Sequence, residues 1–291
     1  DPMLPGCNII PPPFNFSPWQ GQSLSGKSIL IWPEQGFGDE FQICRYIKML
    51  KKELGASYVT LLCRDRLKSV LETVVDADQV LTTSEALNVR HHDYWVYTLS
   101  LPLHCKTTEK TIPNQIPYLY AKPKLVKDIA SQLKPIKEMR VGICWKGNPQ
   151  HTNDRNRSPG IEVFSPLFKL AGVKFFTLQP GTRDEFLAAA GDAGVDFGRE
   201  INESSFEEAA ALIMNLDLVI ACDTSIAHLA GALGKPLWVV LPFDPDWRWL
   251  LQRDDSPWYP NARLFRQSQR NDWKTVFIDI QTRLKNWMVS R

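Results

Sequence analysis

Short apolar, β-prone runs alternate along this chain with longer stretches that carry apolar residues at helical spacing. That alternation predicts a parallel α/β protein. In the first half the runs are 27–32 (KSILIW), 58–63 (YVTLLC), 79–81 and 94–99. In the second they are 140–145 (RVGICW), 173–178, 218–221 and 237–241. They lack the in–out alternation of a half-exposed sheet, as strands buried on both faces do. Between them, PEQGFGDEFQICRYIKMLKKELG reads as a glycine-containing turn feeding one amphipathic helix, with Phe41, Ile43, Cys44, Ile47, Met49 and Leu50 on its apolar side. Helices are also predicted over 67–74, 124–135, 182–190, up to Met214, over 226–233 and over 273–289. Ser204 with Glu207, or Ser205 with Glu208, has capping-box spacing. Gly234 and Pro236 end the helix over 226–233.

The pattern divides the chain into two similar α/β units, 24–123 and 124–268, each opening with an apolar strand and a glycine-bearing loop. Two Rossmann-like domains facing across a cleft are the architecture expected. Residues 1–23 are proline-rich and unpatterned, which predicts an extended arm or linker. With no methionine at position 1, the expectation is a fragment whose preceding domain is missing. The helix over 269–291 is expected to cross back and brace the first domain.

Composition narrows the function classes. Apolar content of 44% and charged content of 23% are ordinary for a globular chain, and 291 residues suit two domains. The net charge of +2 gives no electrostatic case for nucleic acid or an acidic membrane as the main partner. No apolar run reaches membrane-spanning length, and the N-terminus has no signal-peptide pattern. Cys63, Cys144 and Cys222 fall inside predicted strands, where they read as buried small hydrophobes rather than disulfides. No CxxC pair or His/Cys cluster marks a zinc site, and a reducing cytoplasm fits.

The stretch 216–249 (LDLVIACDTSIAHLAGALGKPLWVVLPFDPDWRW) carries the chemistry. A polar turn that opens a helix at the carboxyl end of a parallel strand is an anion site, because free N–H groups and the helix dipole face the ligand. Here Asp223, Thr224 and Ser225 form that turn, and His228 follows Thr224 by one helical turn on the same face. The reading is a diphosphate site for a nucleotide-activated sugar. His228 is either a donor to phosphate or ribose or a structural histidine on a packed helix, and Asp223 either caps the helix or orients the loop. The loop 145–158 follows the second unit's first strand and offers Lys146, Asn148, His151, Asp154, Arg155 and Arg157. These suit a diphosphate or a sugar, and equally a solvated loop. Gln179 ends a strand where it is placed to read a base or ribose. Asp246, Trp247 and Arg248 are assigned to stacking on a ring, and Trp258 and Tyr259 to hinge packing. Gly36 and Gly38 let the backbone approach a ligand, and on chemistry alone Asp39 is a helix cap.

Taken in order, EQGFGDEFQICRYI, WKGNPQHTNDRNRS, LQPG, the stretch from Asp217 to Trp249 and DSPWYPNARLFRQ resemble the catalytic region of bacterial tetratricopeptide-linked glycosyltransferases, which are similar to the family 9 heptosyltransferases. The resemblance covers residues 19–291. It implies a GT-B fold, with the first unit as acceptor domain and the second as nucleotide-sugar donor domain. It also implies inverting transfer to a protein or glycan hydroxyl with neither metal nor cofactor. By the same resemblance Asp39 matches the general base, with Glu34 and Glu40 as fallback carboxylates, and Asp223, Thr224, Ser225 and His228 match a DT-x-x-x-H donor motif. Lys146 and Asn148 match a WxGNP segment, and Arg157 and Ser158 an NDxxRS segment. A preceding repeat domain that recruits the acceptor would complete such a protein.

Two other classes compete with this one. A non-catalytic nucleotide or nucleotide-sugar binding module keeps the donor motif and leaves Asp39 as a cap. A Rossmann oxidoreductase is disfavoured, because no GxGxxG opens a helix after either first strand.

Overall fold

The computed structural model describes residues 12–197 and 204–290. It contains two five-stranded, wholly parallel sheets. The first has the order β1-β5-β2-β3-β4, from β1 (Ser17–Pro18), β2 (Ser28–Trp32), β3 (Tyr58–Cys63), β4 (Gln79–Thr82) and β5 (Tyr94–Tyr97). The second has the order β10-β9-β8-β6-β7, from β6 (Met139–Cys144), β7 (Val173–Thr177), β8 (Leu218–Cys222), β9 (Leu237–Leu241) and β10 (Ala262–Arg266). The two α/β domains expected from the strand pattern are present.

Strand order fixes where a ligand can sit. In the first sheet the chain leaves β2 toward β3, while β5 lies on the opposite side; in the second it leaves β6 toward β7, while β8 lies on the other. Such reversals open a crevice beyond the carboxyl ends of the strands. The turn after β2 leads into α1 (Phe37–Ile43), and the turn after β8 leads into a helix at Ser225–Ala232. Pairing of Cys144 with Ala221 sets the loop after β6 beside the turn at Asp223.

Helices cover both sheets: α1, α2 (Tyr46–Lys52), α3 (Pro123–Leu133), α4 (Arg183–Ala190), α5 (Glu207–Met214), α6 (Ser225–Ala232) and α7 (Trp273–Val289). One apolar core runs from Ile29, Phe41 and Leu61 in the first half through Leu229 and Trp258 to Val219 and Leu237 in the second. It is continuous because α1 packs directly against α6. Every residue of α6 from Ile226 to Ala232 is buried, which explains its small-residue composition. A Cβ at Gly231 would fall inside contact distance of the Tyr259 ring.

Several expectations are corrected. The terminal helix does not brace the first domain: Val276, Phe277, Ile280 and Leu284 of α7 enter the core under the second sheet with Phe164 and Phe175, and Trp287 lies 5.8 Å from the Trp238 ring. Its apolar stripe therefore covers the face of the second sheet opposite α6. The N-terminal arm, in its described part, adds a parallel edge strand: Ser17 and Pro18 pair with Tyr94 and Trp95, and Trp19 is buried. Residues 1–11 of that arm lie outside the described residues. The single helix expected after β2 is two, with Cys44 and Arg45 between them. The N-cap of α5 is Phe206 rather than either serine, and Ser205 Oγ accepts from the Glu207 N–H at 3.2 Å. The strand at Ala262–Arg266 had no counterpart in the pattern, since Arg263 and Arg266 interrupt its apolar residues.

Candidate active site between the two halves

Gly38, the residue before Asp39, meets His228 from the opposite half where α1 faces α6. Gly38 is what permits the approach: a Cβ there would stand 2.6 Å from His228 Cδ2. Asp39 is held from both sides. Its Oδ2 accepts the Gly36 N–H at 2.5 Å, so the carboxylate does cap its own helix, and its Oδ1 takes Nη2 of Arg248 from the other half. Burial pushes its pKa up, opposed first by the Arg248 charge. Each carboxylate oxygen keeps a second lone-pair direction, so capping and proton acceptance are compatible.

Arg248 is placed by a single helical turn (Trp247–Trp249) capped by Asp246, whose Oδ1 accepts from the Arg248 N–H at 3.0 Å and from its Nη1 at 2.8 Å. Its Nε donates to Gln42 Oε1 at 2.9 Å, three residues beyond Asp39 on α1. Arg248 thus forms a buried clamp across the halves. Trp247 is exposed, with the Arg248 guanidinium 4.5 Å from its ring centre. Trp258 and Tyr259 are buried packing residues.

At the start of α6, Thr224 is the N-cap in extended conformation, and no side chain caps the first-turn N–H groups. Thr224 Oγ1 donates to the Cys222 carbonyl at 3.2 Å, and Ser225 is half-buried. His228 is buried, stacked on Trp249 at 5.4 Å, with Nδ1 2.9 Å from the Tyr259 hydroxyl and Nε2 3.8 Å from Asp223 Oδ1. Burial, then the charges of Arg248, Arg45 and Arg157, hold its pKa well below the ordinary value, so it is neutral. Burial raises Asp223 to about 6.

The loop after β6 closes on the same place. Arg157 Nη1 donates to the Asp223 carbonyl at 2.9 Å, and its Nε meets Asp154 Oδ1 at 3.1 Å. Ser158 Oγ accepts from the Gly147 N–H at 2.9 Å and donates to Asp154 at 2.9 Å, folding the loop back on itself. His151 lies within electrostatic reach of Asp246 and Asp39. Gln179 Oε1 accepts from the Lys146 N–H and the Cys144 thiol, both at 3.2 Å, so its carbonyl end pins the loop. Lys146 Nζ pairs with Glu185 on α4 at 2.8 Å, and Asn148 closes a local turn through the Gln150 N–H.

The fallback carboxylates are structural. Glu34 Oε1 accepts the Leu99 N–H at 2.6 Å, tying the turn after β2 to the end of β5. Glu40 is buried against Arg64, with Nε at 2.6 Å, and its pKa is pushed up to about 7 by burial. Sequence reasoning missed Gln42, Arg45, Tyr118 and Trp249. Arg45 is fully committed: it donates to the carbonyls of Gln42, Pro113 and Trp258 and to the Tyr118 hydroxyl, and lies 4.7 Å from the Tyr259 ring centre. A cation lying among Phe41, Ile43, Cys44 and Ile47 was the one signal available.

A family model, glycosyltransferase family 9 (heptosyltransferase), matches residues 201–243, the segment that contains the start of α6. The likeness is to glycosyltransferase family 9. Solved structures of that kind share the fold: the E. coli ADP-heptose LPS heptosyltransferase II superposes with a TM-score of 0.61 at 13% identity, covering 91% of this chain and 98% of that one. A family 9 glycosyltransferase from Veillonella parvula gives 0.60 at 11% identity, covering 92% and 91%. The arrangement is therefore GT-B. Among curated proteins, FlbA of Caulobacter vibrioides is 25% identical over 291 residues, covering 94% of this chain and 48% of FlbA. The chain spans about half the length of that relative.

Proposed function

We propose that this chain is the catalytic region of an inverting glycosyltransferase that moves a sugar from a nucleotide-activated donor to a hydroxyl of a protein or glycan, without metal or cofactor. The observation that carries the reading is the packing of α1 against α6 at the switch points of two parallel sheets, with Gly38, next to Asp39, against His228, and Asp39 bound by Arg248 of the other half. The family 9 match over α6 supports the same assignment.

Inverting transfer is a single displacement. A base takes the acceptor proton while the nucleoside diphosphate leaves from the opposite face of the sugar. Asp39 is the base. Its buried setting raises its proton affinity, while the Arg248 charge opposes that rise and its Nη2 holds the carboxylate in place. The leaving diphosphate lies against the first-turn N–H groups of α6, with the hydroxyls of Thr224 and Ser225, and neutral His228 donates to it. Arg157 and Ser158 shape the loop that covers it, and Lys146, Arg155 and His151 supply further positive or donor groups. Among the described residues no cluster of three or more His, Cys, Asp or Glu is arranged to hold a metal ion. A protein acceptor, a preceding repeat domain and a cytoplasmic location belong to the same proposal.

The test is Asp39→Asn assayed against a panel of ADP-, GDP-, UDP- and CMP-activated sugars. The expected result is a fall in turnover of about 10²- to 10⁴-fold with donor affinity retained. Unchanged turnover would remove Asp39 from the mechanism. Nucleotide binding without turnover in the parent chain would favour the non-catalytic binding module.

A further inference from the structure

We infer that Tyr259, a residue whose ring serves packing, is a positioning residue that locks His228 in the tautomer carrying its proton on Nε2, and so makes that nitrogen a fixed donor at the junction of the two halves. The protons around the ring can be placed one by one. The Tyr259 hydroxyl lies 2.9 Å from His228 Nδ1, and one of the two must donate. Tyr118, the other phenol of this cluster, donates its proton to the Phe41 carbonyl at 2.9 Å and accepts from Arg45 Nη2 at 2.7 Å. The Tyr259 oxygen also lies against Arg45, which has only protons to give, and against Tyr118, whose oxygen already takes Arg45 Nη2, so the Tyr259 proton is directed to Nδ1.

The far side of the ring gives the same answer. Nε2 lies 3.8 Å from Asp223 Oδ1. A lone pair on Nε2 would face the carboxylate oxygen, whereas an N–H there meets it favourably. Burial keeps the phenol protonated at neutral pH: it pushes Tyr259 up to about 12, against the Arg45 charge, which acts the other way. The remaining neighbours do not compete for either nitrogen: Trp249 offers its ring face, and Gly38 its backbone against Cδ2. The ring itself is clamped between Trp249 and Gly38 of the first half, so the tautomer, once set, holds Nε2–H on the side of Asp223.

For the transferase reading this means that His228 meets a phosphate oxygen as a neutral hydrogen-bond donor, delivering no proton to the leaving group. The tautomer stands independently of that reading; its consequence for phosphate rests on it.

The experiment is long-range ¹H–¹⁵N correlation NMR of the imidazole nitrogens in the full chain, with His228 assigned by its loss in His228→Asn. In the parent protein Nε2 is expected to be protonated and Nδ1 bare. Tyr259→Phe, which keeps the ring against Gly231, is expected to give a mixture of tautomers, while Tyr118→Phe leaves the Nε2–H form in place. A parent protein protonated on Nδ1, or a Tyr259→Phe spectrum unchanged from the parent, overturns the inference. Titration with inorganic pyrophosphate in the same samples reads the functional arm. Binding is expected to shift the His228 Nε2–H resonance in the parent and to be about tenfold weaker in Tyr259→Phe. A correct tautomer with a resonance that pyrophosphate does not move would leave the lock standing and contradict the phosphate reading alone.

Discussion

Gly38 shows how much rests on one missing methyl group. Its conformational freedom is not the point; the backbone must come within van der Waals range of the His228 ring, and a Cβ would stand 2.6 Å from Cδ2. In Gly38→Ala either the ring or α1 must give way, and the ring is held between Trp249 and Tyr259. The expected outcome is destabilisation of about 1–3 kcal/mol, measured by urea unfolding, together with a lower kcat. Equal stability and activity would mean that the two halves do not meet there. The same scale shows where the sequence was readable. Asp39, Asp223, Thr224 and His228 stand out because their residue types sit at helix starts after apolar runs. Arg248 stands out beside Trp247, but its hold on Asp39 and Gln42 does not, because those partners lie more than two hundred residues away. A long-range ion pair leaves no mark in local spacing.

At the scale of elements, the strands were legible because each is an uninterrupted apolar run, and β9 begins and ends where the pattern places it. Those that were missed lack the run: β1 is two residues long, and β10 carries arginines at Arg263 and Arg266. The packing of α7 was misjudged because an amphipathic stripe specifies that a helix is covered, not by which sheet. Element packing also sets a pH response. Glu40 on α1 is buried against Arg64 at the end of β3, and its pKa rises from an ordinary 4.5 to about 7. The folded state therefore binds this proton more tightly than the unfolded chain does. Stability from that source is complete below about 4.5 and is lost as pH rises through 7. His92, His151 and His228 are shifted down and act in the opposite sense, so the difference between two proteins is the informative quantity. Calorimetry of Glu40→Gln against the parent is expected to show the variant gaining in relative Tm between pH 4.5 and 7 and holding level above. A constant difference across that range would place Glu40 in a more solvated setting than the one described.

In the whole molecule, the turns after β2 and β8, at the carboxyl ends of two parallel sheets, are brought together by the packing of α1 against α6. The strand pattern announced two parallel sheets, and strand order put the crevices at the turns after β2 and β8. What the sequence could not convey is how closely the halves join. That junction is made by Arg45, donating to carbonyls of both halves, by Arg248, and by α6 against α1. A ligand held at the start of α6 is thus also a ligand held beside α1. Hydrogen exchange with and without ADP measures this directly, peptide by peptide. The account predicts slowed exchange in two separate segments, 33–44 from the first half and 221–232 from the second. Slowing confined to one of them, or to residues remote from both, would contradict a shared site between the halves.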